Sequence, residues 1–228
     1  MAQRPVFIPT SSPPFVRERL IEFAWHKGMA PSQKRKNVVE LHKAAADEGL
    51  DRLLEISTKS ESHLGIALSA FNLQVGVGGL GLIPLECAFQ GSKVFEDGGP
   101  FEDLLTANAR DAKRDSRLKE SGRLIGFRLG RMEFPTLTKT AFYDWLYMRA
   151  IARVDPFESE INDFDGFTDI EFNPKKSLNC QARSCALGVS LLRQGLLAEC
   201  QESPRRFLEV ISPEGTAAAT LDERGLFE

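Results

Sequence analysis

A mostly helical α+β domain with a small sheet is the fold class that the sequence predicts. Apolar residues recur at helical spacing through the longer stretches. The segments with strand character are short, and no repeat or low-complexity tract interrupts them. Residues 1–15, "MAQRPVFIPTSSPPF", read as an extended lead punctuated by prolines. From Ser32 a helix is expected, with Ser32 as its cap, Val38, Leu41 and Ala45 as its buried stripe, and Gly49 as its stop. "LLEIS" (53–57) and "IALSAFNLQV" (66–75) are the strand candidates. The glycines of 76–81 make a hairpin turn to a short strand near Leu82–Leu85.

A helix over about Pro84–Phe95 follows, ended by "EDGGP". A basic helix through "DLLTANARDAKRDSRLKESGR" then reaches a turn at Gly122, and "LIGFRLG" is apolar but of open type. Residues 138–153 form a helix with Phe142, Trp145, Leu146 and Ile151 inward. Residues 162–176 are an acidic-to-basic loop with turns at Asp165-Gly166 and Asn173-Pro174. The last long helix lies in "SLNCQARSCALGVSLLRQGLL", with Ala182, Cys185, Val189 and Leu192 as its stripe. The expected organisation is an N-terminal extension (1–60) packed on a core (61–202), with a polar, peripheral C-terminal segment (203–228).

Composition narrows the function classes. A chain of 228 residues with 42% hydrophobic and 27% charged residues has the balance of an ordinary globular protein. A net charge of −3 does not mark a nucleic-acid binder, although a basic groove can sit on an acidic protein. The longest apolar run, Val75–Leu85, is too short for a membrane span and is broken by glycines and Pro84. Prolines stand near the N-terminus where a signal peptide needs an apolar helix, so a cytoplasmic location is expected. Cys87, Cys180, Cys185 and Cys200 form no C-x-x-C pair and read as buried free thiols. His26, His42 and His63 are scattered, and neither a metal site nor a cofactor is expected.

Two motifs invite chemistry. "GVGGLG" (76–81) spells G-x-G-x-x-G, but Pro84 falls early in any helix that it would open, and no strand precedes the later acids Glu96 and Asp97. A hairpin turn explains these glycines better than a dinucleotide site. "ECAFQGSKVF" (86–95), wound as a helix, puts Glu86, Gln90 and Lys93 on one narrow stripe flanked by Phe89. Such a stripe is either a solvated face with an exposed ion pair worth ~0.3–0.5 kcal/mol or the wall of a site.

The ordered motifs from about Leu68 to Arg193 resemble the NADAR domain, whose best-known members are YbiA-like N-glycosidases. "LSAF" (68–71) resembles the family's S-N-F strand, with Ala70 in place of Asn. "ECAFQGSKVF" is similar to its E-H-x-x-Q-x-x-K-F helix, with Cys87 where His is usual. Ala112 and Lys113 before "SGR" (121–123) resemble an A-K…G-R segment. "TDIEFN" (168–173) resembles D-x-x-W-G, with Asp169 kept and Phe172 and Asn173 substituted. Asn179 matches the Asn of the following G-x-N. "RPVFIP" (4–9), the Q-K-R-K helix, "LLEISTKS" (53–60) and "KTAFYDWLYM" (139–148) are similar to the branch paired with DarT-type toxins.

The resemblance implies an antitoxin that removes ADP-ribose from guanine in DNA. Glu86, Lys93 and Asp169 would be its catalytic residues, and Ser69, Phe71, Gln90, Arg123 and Asn179 its substrate contacts. Its partners would be ADP-ribosylated DNA and a DarT-type transferase, and no membrane. Alternatives are a YbiA-like hydrolase of small N-glycosides from the riboflavin pathway, or a module that binds ADP-ribose or the toxin without turnover.

N-glycoside cleavage builds oxocarbenium-like charge and needs a protonated leaving amine, so a pair of carboxyl groups suits it. A lysine that loses its proton near neutral pH opens a second route through a Schiff base. Arg123 reads either as a diphosphate clamp or as a carbonyl cap. Phe71 and Trp145 read as core residues. The basic runs 33–36, 110–119, 174–176 and 204–206 read as solvated faces that serve DNA only if they converge.

Overall fold

The computed structural model describes residues 1–136, 140–155, 157–175 and 177–212. In chain order it contains β1 (Ala2–Pro9), β2 (Val16–Phe23), α1 (Pro31–Ala46), β3 (Leu53–Glu55) and α2 (His63–Ala67). Next come β4 (Gln74–Val77), β5 (Gly81–Pro84), α3 (Leu85–Gly91) and β6 (Lys93–Phe95). A 3-10 turn (Glu102–Thr106), α4 (Ala109–Arg114) and α5 (Arg117–Glu120) lead to β7 (Leu124–Leu129), β8 (Met132–Pro135) and α6 (Ala141–Ile151). Then follow α7 (Phe157–Glu160), a 3-10 turn (Ile161–Asp163), β9 (Gly166–Thr168), α8 (Gln181–Arg193), α9 (Leu197–Glu202) and α10 (Pro204–Ile211). The architecture is α+β, as expected. The chain divides into two compact units, Met1–Ser69 with Val154–Glu199, and Ala70–Arg153 with Cys200–Glu228.

The first unit is built on a four-stranded sheet in the order β2-β1-β9-β3. β1 and β2 pair antiparallel from Ala2↔Phe23 to Pro9↔Val16. β9 runs parallel to β3 and meets β1 at Phe7↔Phe167. Val6, Ile8, Ile21 and Phe23 bury one sheet face against Val38, Leu41 and Ala45 of α1. Phe7, on the opposite face by strand alternation, is also buried, and α8 packs on β1 and β9. The expected stripe of α1 is therefore correct, but its N-cap is Ala30 rather than Ser32, because Pro31 takes the first helical position. In α8 the buried apolar residue near the end is Leu191, and Leu192 is only half-buried.

The strand expected over 66–75 is not formed. Residues 66–67 complete α2 and the chain then turns, so that only Gln74 and Val75 belong to a strand. α2 is pinned at Gly65, where an added Cβ would lie 2.2 Å from the Glu55 carbonyl oxygen and 2.3 Å from Ser60 Oγ. Gly65→Ala must push a backbone carbonyl aside. It is expected to lower stability by about 3 kcal/mol in urea unfolding.

The second unit carries the β4–β5 hairpin and a three-stranded antiparallel sheet, β6-β7-β8. "LIGFRLG" is thus strand β7. Gly79 and Gly81 take positive φ in the hairpin turn, which accounts for the glycine motif without a nucleotide. An aromatic stack forms the core. Phe127 and Phe142 centroids are 4.4 Å apart, Phe89 stacks on Phe127 at 5.7 Å, and Phe134 lies 5.3 Å from Phe142. Trp145 is fully buried, and its indole N–H donates to the Cys200 carbonyl at 3.1 Å.

The basic helix expected before Gly122 is broken into the 3-10 turn, α4 and α5, because Asn108 caps α4 through Arg110 N and Asp115 turns the chain out of it. The start of the expected 138–153 helix lies partly outside the described residues, and α6 is seen from Ala141. Past Ser203, which caps α10, Phe207 and Leu208 are buried; residues 213–228 lie outside the described residues. Among the described residues no helix is long and apolar enough to cross a membrane.

Candidate active site

The opening of α3 is set by Pro84, which precedes it in an extended conformation, and by the Leu85 N–H, which donates to the Leu73 carbonyl at 2.9 Å. Every residue of α3 is buried. Cys87 packs with Leu104 and Ala112, and its thiol donates to the Ala107 carbonyl at 3.2 Å. Burial, and then the nearby Glu86, push that thiol upward in pKa. The residue that replaces the family's usual His is therefore an inert packing group. Phe89 is clamped by the aromatic stack and by Tyr143, whose ring meets it edge-on at 5.1 Å.

The helix stops at Gly91, two residues before Lys93, which corrects the expected helix through Phe95. Ser92 Oγ bonds back to the Ala88 carbonyl, and the Ser92 carbonyl accepts from Arg128 N at 2.7 Å. The chain thereby leaves the helix to pair with β7, and Lys93 stands opposite Phe127. Lys93 nonetheless reaches back. Its Nζ donates to Gln90 Oε1 at 2.7 Å, and Gln90 Nε2 donates to Glu86 Oε1 at 2.7 Å. The amide orients itself between a cation and an anion, taking a proton from one side and giving one to the other.

Lys113 of α4 closes the row. Its Nζ lies 3.9 Å from Glu86 Oε2 and 5.4 Å from the centre of the Phe71 ring. The Lys93 ammonium sits 4.6 Å from the Phe89 ring centre. Glu86 and Gln90 are each only 5% exposed, so the stripe is not a solvated face.

Electrostatics follow from this placement. Burial lowers the Lys93 pKa to about 8, Glu86 opposes that shift, and Lys113 adds to it. Phe71 is not core: it lies in a turn, 44% exposed, against Lys113. Trp145 is core, as expected. Arg123 is an exposed residue paired with Glu96, with Nη2 2.9 Å from Oε1.

Asp169, Ser69 and Asn179 belong to the first unit. The buried Asp169 carboxyl accepts from Glu171 N at 3.0 Å, Phe172 N at 3.2 Å and Gln181 Nε2 at 3.0 Å. Burial, and next the Glu55 carboxylate, raise its pKa well above the usual carboxylate range. Ser69 Oγ and Asn179 Oδ1 are buried with no hydrogen-bond partner among the described residues.

Glu55, which the sequence did not single out, accepts from Ser57 Oγ at 2.7 Å, Ile170 N at 2.9 Å and Thr168 Oγ1 at 2.7 Å. Burial raises its pKa. His42 Nε2 is 2.8 Å from the same Thr168 hydroxyl, and burial lowers its pKa to about 4. The folded state thus resists protonating His42, while the unfolded chain takes that proton near its ordinary 6.5. Its contribution to stability, about 3 kcal/mol at most, is full above about 6.5 and lost as pH falls toward 4. His42→Gln is expected to flatten that part of the stability–pH curve in chemical unfolding.

Lys113 is the site residue that sequence reasoning left out. Its signal was the A-K pair at Ala112–Lys113, read only as part of a pattern. Among the described residues no cluster of His, Cys, Asp and Glu suited to a metal ion is present.

A buried acid, an amide and a lysine of lowered pKa thus lie in one hydrogen-bonded row on an α+β scaffold. A family profile described as DarT1-associated NADAR antitoxin matches residues 2–220. The chain belongs to this family of NADAR antitoxins associated with DarT1. A comparison with curated proteins finds no match.

Proposed function

We propose that this antitoxin hydrolyses the bond joining ADP-ribose to the amino group of guanine in DNA, undoing the modification made by its DarT1 toxin. The observation that carries the reading is Lys93. It is bonded through Gln90 to a buried carboxylate, and burial lowers its pKa to about 8, which favours the neutral, nucleophilic amine more than in a free lysine.

In the route favoured here the sugar ring opens, so that C1″–O4″ breaks and C1″ forms an imine with the guanine nitrogen. The Lys93 amine adds to C1″. The C1″–N bond then breaks, and guanine leaves with its amino group, taking a proton. Water adds to the resulting lysine imine, and its collapse returns free Lys93 and ADP-ribose. One water is consumed per turnover. Glu86 serves as the base that collects the proton from lysine and from water. The family resemblance adds Ser69, Asn179 and Asp169 of the first unit as further substrate contacts and catalytic group, and the raised pKa of Asp169 suits a proton donor. Phe71 is exposed enough to stack on a ligand ring, and Arg123 would have to leave Glu96 to hold a diphosphate.

The test is incubation with guanine-ADP-ribosylated DNA, following released ADP-ribose, with Glu86→Ala and Lys93→Ala alongside. Release that vanishes in both variants supports the proposal. Tight binding without release would replace it with a non-catalytic module. Turnover confined to small N-glycosides would move it to the YbiA-like reading.

A further inference from the structure

At the end of α6, Arg149 and Arg153 line a cleft of about 500 Å³ together with Ala152, Gln201 and Glu202, none of which is assigned above. Arg149 is half-buried, with its guanidinium 4.9 Å from the Trp145 ring centre. Burial, and then the charge of Arg153, lower its pKa. Among the described residues neither guanidinium has a carboxylate within 4.0 Å, whereas Arg19, Arg52, Arg117, Arg123 and Arg205 all do. Gln201 is turned away, donating to the Met148 carbonyl at 2.9 Å.

The β4 strand makes room for this pair. Gly76 lies so close that a Cβ there would come within 3.1 Å of Arg153 Nη2. Two like charges held four residues apart, one of them partly desolvated, repel each other. The negative end of α6 offsets only part of that cost. An anion between them would satisfy both, and the planar forks of two arginines fit the oxygens of a phosphate.

We propose that Arg149 and Arg153 form a phosphate-binding site that grips a backbone phosphodiester of the DNA strand. The proposal rests on the reading that the substrate is DNA. Its ligand is the phosphate itself, whether from the polymer or from a free nucleotide, and the polymer is favoured because the cleft is open and, among the described residues, carries no aromatic lining for a base.

The experiment measures affinity for an unmodified single-stranded oligonucleotide by fluorescence anisotropy over a salt series, so that it reads out even if no glycohydrolase activity exists. Arg153→Gln is the primary variant, because Arg153 is exposed and its loss leaves the core intact. It is expected to weaken binding roughly tenfold and to reduce the slope of log affinity against log salt by about 0.7. Glu202→Gln, which removes an acid that lines the cleft, is expected to tighten binding. Turnover of a small ADP-ribosylated guanosine is expected to be unchanged in both variants. Unchanged affinity and slope in Arg153→Gln would overturn the proposal. So would variants that lose binding of free ADP-ribose while holding the oligonucleotide as the wild type does.

Discussion

Lys93→Ala is expected to abolish release of ADP-ribose, and Lys93→Arg to fail equally, because a guanidinium keeps the charge but cannot form an imine. In the wild type the rate of the chemical step should rise about tenfold per pH unit below neutrality and level off above about 8, where the amine becomes neutral. Borohydride added during turnover should leave ADP-ribose fixed to Lys93, visible as a mass increase on that peptide. Activity retained by the arginine variant would show that Lys93 acts only as a cation. The alanine variant should keep its full stability. A buried ammonium with a lowered pKa costs folding energy at neutral pH, and removing it relieves that cost. A collapse in stability would mean that the lysine is structural.

Glu86→Gln carries the second large effect. Losing the base should slow the chemical step by about 10²–10⁴-fold while leaving the size and hydrogen bonding of the side chain nearly intact. The residual activity should also show where its pH dependence comes from. Glu86 holds the Lys93 pKa up and Lys113 pushes it down. The rising limb should therefore move to lower pH in Glu86→Gln and to higher pH in Lys113→Ala. A limb that moves the other way in either variant would show that the row Lys113–Glu86–Gln90–Lys93 does not set the charge of the lysine.

The residues of this row were legible in the sequence, because helical spacing and the family pattern both pointed to Glu86, Gln90 and Lys93. Their geometry was not. Lys93 sits in a strand, and its contact with Gln90 depends on Ser92 ending the helix and on β7 capturing the Ser92 carbonyl. That is a tertiary pairing which no local propensity encodes. Lys113 was hidden for the same reason: its partner in the chain, Glu86, is far away in sequence. The false strand over 66–75 came from β-forming residues that alternate in the written order. They cannot extend, because α2 needs Gly65 against the Glu55 carbonyl. In the other direction, β9 was read as loop. Gly166, Phe167 and Thr168 are all buried between two partner strands, and three residues between acids give no period to detect. β1 was obscured by prolines and by consecutive burial of Val6, Phe7 and Ile8, which removes alternation. α1 and α6 were read well, because each buries one recognisable stripe or a continuous apolar core segment.

The sheet order β2-β1-β9-β3 has a practical consequence. Three of its strands come from the first sixty residues, and the fourth, β9, lies more than a hundred positions later. A truncated variant beginning at residue 61 would strip β9 of both neighbours and leave α8 without the surface it covers. Engineers seeking a minimal version should leave the amino end intact. A fusion tag at the amino end needs a long linker, since Ala2 is already paired with Phe23.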